Sequence, residues 1–352
     1  MSRAQLTSTT QQDSGGAVAP FLAGKNKIIN GDFRINQRNF TSATSGYCFD
    51  RWTMAASGGT MTVTPQTFTP GAAPVAGYEA QNYAQIVTSG YGSAGDYGLF
   101  IQNIEDMRTF AGQTITVSFW AKAASGTPKI AVETYLGLGS GGSGGTLSTP
   151  GGAVTISTSW ARYSLTFTVP SISGATIGTG SSIAVNLWVS AGSSFNTRAS
   201  SIGTQNNTFS IWGVQAENGS VATPFTTASG TLQGELALCM RYYEKSYAQG
   251  TNPGSATETN AITSSTNAAS PTTSYLSLGL VYKIVKRTSP TVTLYDSSGA
   301  SNKTGRFSIG SPTTTGQTVA FANASDAAGI VYSSGSASAT GLLVHYTADA
   351  EL

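Results

Sequence analysis

The chain has 352 residues, of which 10% are charged and 42 are glycine, with a formal charge of +2. That length exceeds one ordinary domain and sets two compact units with a tail as the expectation. So small a net charge excludes an electrostatic nucleic-acid surface, and the Gly, Ser and Thr content favours turns and strands over long helices.

Residues 1–26 are polar and Gly-containing, with no apolar period. Alone they bury too little surface to offset chain entropy, and they read as an arm. Within them residues 17–23, broken by Pro20, are too short for a signal-peptide core, and no run in the chain reaches a membrane span. A soluble protein without membrane insertion is the expectation.

Residues 27–229 read as a sandwich of short strands, because apolar side chains alternate. Ile115, Val117, Phe119 and Ala121 share one strand face; Ile130, Val132 and Leu136 share the next. Tyr163, Leu165, Phe167 and Val169, then Ile183, Val185, Leu187 and Val189, repeat the pattern. The glycine-laden residues 137–152 between them read as a long mobile loop.

At residues 230–249 the period changes to that of a short junction helix. Thr231 is its N-cap, and Leu232, Leu236, Cys239, Met240 and Tyr243 fall on one face, with Leu238 and Tyr242 off it. Residues 250–352 then form a smaller C-terminal β-domain. Its Ser/Thr/Asn-rich start, to residue 274, reads as a linker or an extended loop. Strands follow at residues 275–282, 291–295, 317–321, 329–332 and 341–346, with a turn at residues 296–299. Lys283, Lys286 and Arg287 read as a solvated strand end. Cys48 and Cys239 lack CxxC spacing and read as two buried free thiols rather than a disulfide. The fold class is therefore all-β: a jelly-roll sandwich, a short junction helix and a smaller C-terminal β-domain.

Four segments carry a family resemblance: NKIINGDFRINQRNF at 26–40, Asp50-Arg51-Trp52, ELALCMRYYEKSY at 235–247 and HYTADAEL at 345–352. Together they resemble bacteriophage tail-fibre and receptor-binding virion proteins with a carbohydrate-binding-module-like jelly roll. The resemblance implies a virion protein made in the host cytoplasm, docked to other virion proteins through its N-terminal arm. It also implies a homotrimer, with Leu238 and Tyr242 facing a neighbouring subunit or, in the plainer reading, a helix packed within one chain. Such modules often hold a structural calcium; Asp32 at the NGDF position and Glu217 are its candidate ligands, against a turn-capping Asp and a solvated Glu. Tyr47 and Trp52 read as packing residues, and Asp50 and Arg51 as a paired brace.

Little in the chain points to catalysis. The one histidine, His345, sits in an apolar strand, and adjacent Glu105 and Asp106 would point apart on an extended segment. No enzyme activity and no cofactor are expected. For a sugar, the opposite faces of three strands offer Trp120, Glu133, Tyr135, Asn186 and Trp188, rings for the C–H face beside groups for hydroxyls, with a core or subunit contact as the competing use of the same residues. The expected function is host-surface glycan recognition by a tail fibre or tail tip, with a capsid fibre or decoration protein as the alternative. A cell-associated adhesin or depolymerase accessory module would need an export signal or a catalytic partner.

Overall fold

The computed structural model describes residues 10–12, 18–20, 24–75, 79–144, 146–265, 274–307, 313–335 and 341–352. Most of the expected arm lies outside them; within it, Thr10–Gln12 (β1) pairs antiparallel with Val18–Pro20 (β2). The arm ends earlier than residue 26. Asn26 is buried, its amide donates to the Val214 and Thr226 carbonyls at 3.2 and 2.9 Å, and Lys25 pairs with Glu217 at 3.2 Å.

The sandwich strands are Gly46–Tyr47 (β3), Trp52–Ser57 (β4), Thr60–Thr67 (β5), Asn82–Ser89 (β6), Tyr97–Glu105 (β7), Thr114–Ala123 (β8), Lys129–Gly137 (β9), Thr146–Thr155 (β10), Ala161–Thr168 (β11), Ser182–Ala191 (β12) and Thr208–Asn218 (β13). They form two antiparallel sheets, β10-β9-β12-β7-β4-β3 and β11-β8-β13-β6-β5. The chain crosses repeatedly from one sheet to the other, with β3/β4, β5/β6 and β9/β10 the successive strands that pair directly, as in a jelly roll. The apolar sets of β8, β9 and β12 meet between the sheets, where Ile115, Phe119, Ile130, Val132, Val185 and Leu187 are fully buried in one cluster.

Most of residues 137–152 is not a loop. Thr146–Thr155 pairs with β9 to Lys129, and the connection is stitched to residues 176–179 by Gly178 N–H to Leu138 O at 2.7 Å and Ser143 N–H to Thr176 O at 2.8 Å. Glycine permits this approach: a Cβ on Gly178 would lie 2.1 Å from the Ser140 carbonyl.

The NGDF turn is a structural lock. Asn30 and Phe33 take φ of 57° and 58°, a Cβ on Gly31 would lie 2.1 Å from the Val214 carbonyl, and the Asn30 amide donates to the Ile35 and Asp50 carbonyls at 2.8 and 3.1 Å. The Trp52 indole donates to the Asn30 carbonyl at 2.9 Å.

The junction helix, Leu232–Met240 (α1), starts at the Thr231 cap, whose hydroxyl accepts from Gly234 N–H at 3.0 Å. It is shorter than expected, and its buried face differs. Tyr243–Lys245 is strand β14, paired with the last strand, so backbone pairing overrides the helical period. Leu232 is 49% exposed, while Glu235 is buried because its carboxylate accepts from the N–H of Asn30 at 2.5 Å and of Ser229 at 3.1 Å. Tyr242 is not free for a neighbour: its hydroxyl donates to Glu105 at 3.0 Å and its ring lies 3.4 Å from the Arg51 guanidinium.

The C-terminal part comprises Ile262–Ser265 (β15), Ser274–Val281 (β16), Thr291–Tyr295 (β17), Lys303–Phe307 (β18), Thr314–Thr318 (β19), Ala320–Ala322 (β20), Ala328–Gly335 (β21) and Gly341–Asp349 (β22). β22 is its organising strand, pairing with β14, β15, β17 and β18. The expected linker thus contains a strand, and residues 266–273 of it lie outside the described residues. Leu276, Leu280, Val331, Val344 and Tyr346 build a second core. The turn after β17 forms as expected, the Asp296 carboxylate accepting from Ser298 N–H at 2.9 Å and Ala300 N–H at 3.0 Å.

The four segments that carried the resemblance converge where the two parts meet. Arg51, 1% exposed, pairs with Glu351, 4% exposed, and Arg38 reaches Asp349 at 3.1 Å and Glu351 at 3.5 Å. Asp50 is not the partner of Arg51; it accepts from Gln37 N–H at 2.6 Å and Gln37 Nε2 at 2.7 Å, and Gln37 Nε2 also donates to the Tyr243 carbonyl at 2.7 Å. Nor is Lys286 solvated: it is fully buried, 2.5 Å from Glu244, while Arg287 holds the Ala350 and Glu351 carbonyls at 3.2 and 3.3 Å. Both cysteines are buried and unpaired; burial pushes the Cys48 thiol up to about 12.

Glu351→Ala leaves Arg51 charged and buried, and should cost about 3–5 kcal/mol in urea unfolding; a double Arg51→Met/Glu351→Leu variant should cost less. Equal losses in the two variants would show that shape, not the uncompensated charge, governs the junction.

Candidate functional site

In β8 the inward set Ile115, Val117, Phe119 and Ala121 turns Thr116, Ser118, Trp120 and Lys122 outward. In β13 Phe209 and Ile211 point inward, which places Trp212 outward and directly across from Trp120 in the register. A bulge follows at Gly213, whose φ of +64° and lack of a Cβ let Trp120 approach; a Cβ there would lie 2.8 Å from the indole. β6 adds Tyr83 by the same alternation, since Ala84 and Ile86 lie in the core.

Loops complete the set with Phe68, Trp160 and Phe225. Trp120, Trp212 and Phe225 are buried and form the base, with centroids of 5.1 Å for Trp120–Trp212 and 5.2 Å for Trp212–Phe225. Phe68, Tyr83 and Trp160 are half-buried: Phe68 lies 4.7 Å from Tyr83 and 5.4 Å from Trp160, and Tyr83 meets Trp160 edge-on at 5.4 Å. Burial raises the Tyr83 phenol above its ordinary pKa. Lys122 Nζ sits 5.5 Å from the Trp160 ring, and the Arg162 guanidinium 4.6 Å from that of Trp120.

Two cavities adjoin the rings and share Glu79 and Ala80. One, of about 480 Å³, is lined by Asp32, Arg34, Trp212, Phe225 and Glu235; the other, of about 560 Å³, by Phe68, Pro70, Gly71, Gln81 and Asn82. Asp32 is 6% exposed, its Oδ1 has no hydrogen-bond partner, and burial, then the nearby Glu235 charge, raises its pKa to about 6 against the pull of Arg34.

The sugar platform expected from the sequence does not assemble. Trp120 lies on the outer face of one sheet, and Glu133, Tyr135, Asn186 and Trp188 on the outer face of the other, so they point away from each other. Nor is the second group open. Glu133 is fully buried and accepts from Asn186 Nδ2 at 2.9 Å, Trp188 Nε1 at 3.0 Å, Arg198 Nε at 2.6 Å and Arg198 Nη2 at 3.0 Å. Trp188 is 0% exposed under Phe195, at 5.4 Å, and Arg198 lies 5.1 Å from both the Trp188 and Tyr135 rings. This is an ionic brace beneath the segment after β12, its carboxylate buried and its guanidinium partly exposed.

Of the two calcium candidates, Glu217 is already committed to other partners. Glu217 is saturated by Lys25 at 3.2 Å, Thr223 N–H at 2.8 Å, Thr223 Oγ1 at 2.7 Å and Gln215 Nε2 at 2.7 Å, and these, against the cost of burial, hold its carboxyl below the usual range. Among the described residues no group of three or more His, Cys, Asp and Glu side chains is placed to hold a metal ion. His345 is packed: Nδ1 lies 2.8 Å from Ser246 Oγ, Nε2 3.1 Å from the Thr257 carbonyl, and the ring stacks on Tyr247 at 3.9 Å. Glu105 is held by Arg241 at 2.8 and 2.9 Å.

The sequence reading missed Phe68, Tyr83, Trp160, Trp212 and Phe225. Alternation in β13 was the signal available for Trp212; the loop residues carry none, because only the tertiary fold brings them to the sheet.

No protein-family model matches this chain, and no curated protein does. Among solved structures it is similar to the enzymatically active domain of tailspike protein 4 from bacteriophage CBA120, at TM-score 0.32 and 16% identity, over 55% of this chain and 21% of that one. It is also similar to the CBM22-2 xylan-binding domain from Paenibacillus barcinonensis, at TM-score 0.30 and 16% identity over 48% and 92% of the two chains. A family 11 carbohydrate-binding module from Clostridium thermocellum, in complex with a mixed-linked tetrasaccharide, gives TM-score 0.31 and 10% identity over 52% and 97%. With similarity at this level, the jelly-roll assignment rests on the strand order of the sandwich itself.

Proposed function

We propose that this chain is a non-enzymatic glycan-recognition protein of a phage virion, a tail fibre or tail-tip protein that holds host-surface sugar on the outer face of the β11-β8-β13-β6-β5 sheet. One observation carries the reading: half-buried Phe68, packed with the half-buried rings of Tyr83 and Trp160, lines one of two adjoining cavities that carry carboxylate and amide groups. Rings accept the C–H face of a pyranose, and fixed polar groups at the rim select its hydroxyls. The buried base of Trp120, Trp212 and Phe225 keeps the outer rings in place, so little ordering is left to do on binding.

The non-catalytic part of the proposal is supported by the packing of His345 and by the engagement of Glu105 and Glu235 in fixed hydrogen bonds. Placement on a virion tail and a trimeric state come from the sequence resemblance. Since Tyr242 is committed within its own chain, exposed Leu232 and half-buried Leu236 and Leu238 are the helix leucines that a subunit contact would use.

Trp160→Ala should weaken binding to host-surface polysaccharide about tenfold or more in affinity electrophoresis, with the melting temperature nearly unchanged. Trp188→Ala should instead cost about 3–5 kcal/mol of stability. Unchanged retention by a folded Trp160→Ala variant would place the sugar elsewhere.

A further inference from the structure

The cavity between Asp32 and the buried rings is chemically unlike the open platform beside it. Its charged lining consists of the carboxylates of Asp32, Glu235 and Glu79 against the single guanidinium of Arg34. Trp212 and Phe225, packed on each other and on Trp120, close its apolar side. Glu235 spends its oxygens on Asn30 N–H, Ser229 N–H and Ser229 Oγ, and Glu79 accepts from Gly71 N–H at 3.0 Å. Asp32 Oδ1, on a residue 6% exposed, has no such donor, and an orphaned acceptor of this kind is costly to a fold unless something fills it.

We infer that this cavity receives a primary ammonium group carried by the bound glycan, a sugar with a free amino substituent, whose N–H donors satisfy Asp32 Oδ1. The inference rests on the glycan-binding reading and names the sugar class that reading leaves open. An anion is opposed by three carboxylates. A hydroxyl gives one hydrogen bond and leaves the wall's charge uncompensated, and a hard cation finds one open carboxylate oxygen, Asp32 Oδ1, where it requires a full oxygen shell. An N-acetylated amine brings no charge and adds bulk.

The pH behaviour follows from the same groups. Asp32 is raised to about 6 by burial and Glu235, with Arg34 opposing. An ammonium neighbour favours its ionised form, so preference for the amino sugar grows as pH rises through that value. For folding the sign is opposite: a carboxyl raised in the folded state contributes stability below its unfolded value and loses it as pH rises to about 6. Asp32→Asn should therefore fold, with a higher melting temperature than the parent at roughly pH 7 and no such advantage at roughly pH 4.

The test is calorimetric titration of the full chain with glucosamine, N-acetylglucosamine and glucose at roughly pH 7 and pH 5, in the parent, Asp32→Asn, Glu79→Gln and Trp160→Ala proteins. In the parent, glucosamine should bind about tenfold or more tighter than the other two near neutral pH, with the ratio shrinking in acid. Asp32→Asn should abolish the ratio, Glu79→Gln should reduce it, and Trp160→Ala should weaken all three sugars while preserving it. Three equal affinities in the parent, or an undiminished ratio in Asp32→Asn, overturns the inference and leaves the platform standing. Binding of none of the three overturns the inference together with the reading it rests on.

Discussion

The buried contact between Arg51 and Glu351 is the constraint on which the arrangement of the two parts depends. A guanidinium and a carboxylate, both nearly inaccessible, compensate each other only in one geometry, and around them the Tyr242 ring, Arg38 and Arg287 fix the last residues of the chain. Those residues continue β22, which pairs with β14 of the junction and with β15, β17 and β18 of the C-terminal part. One ionic contact thus couples the sandwich to the organising strand of its neighbour. Breaking either charge strands the other in a low-dielectric setting, so the junction is specific as well as tight.

This explains why the segments most recognisable as sequence are distant in role from the platform. The NGDF turn, the Asp50-Arg51-Trp52 triplet, the junction helix and the terminal strand all serve the joint. The turn contributes twice, since Asn30 holds the Ile35 and Asp50 carbonyls while Asp32, two residues on, lines the acidic cavity. The joint and the candidate ligand site therefore share one strained turn, and rigidity at the first is positional accuracy at the second.

Sheet membership, not strand identity, is where the sequence reading fell short. Period-two alternation is local, so the inner faces of β8, β9 and β12 were legible from Ile115 to Val189. Which sheet each strand joins is decided by pairing across tens of residues, and so Trp120 and Trp188 were grouped although they lie on opposite outer faces. The glycines of residues 137–152 suggested mobility through their entropy cost, yet the same absence of Cβ atoms lets that backbone pair closely with residues 176–179. Buried charge was equally invisible: Lys286 reads as solvated and Glu133 as open to a sugar until their partners, Glu244 and Arg198, arrive from distant elements. Of the candidate site, Trp120 and Asp32 were named from sequence, and the ring cluster around them was not.

Hydrogen–deuterium exchange of the full chain, with and without the tightest-binding sugar, addresses the central claim most directly. The account predicts new protection at residues 66–70, 79–83, 158–162 and 212–227, with residues 130–136 and 186–198 unchanged. Protection confined to residues 130–136 and 186–198 would contradict it, and would return the binding face to the opposite sheet.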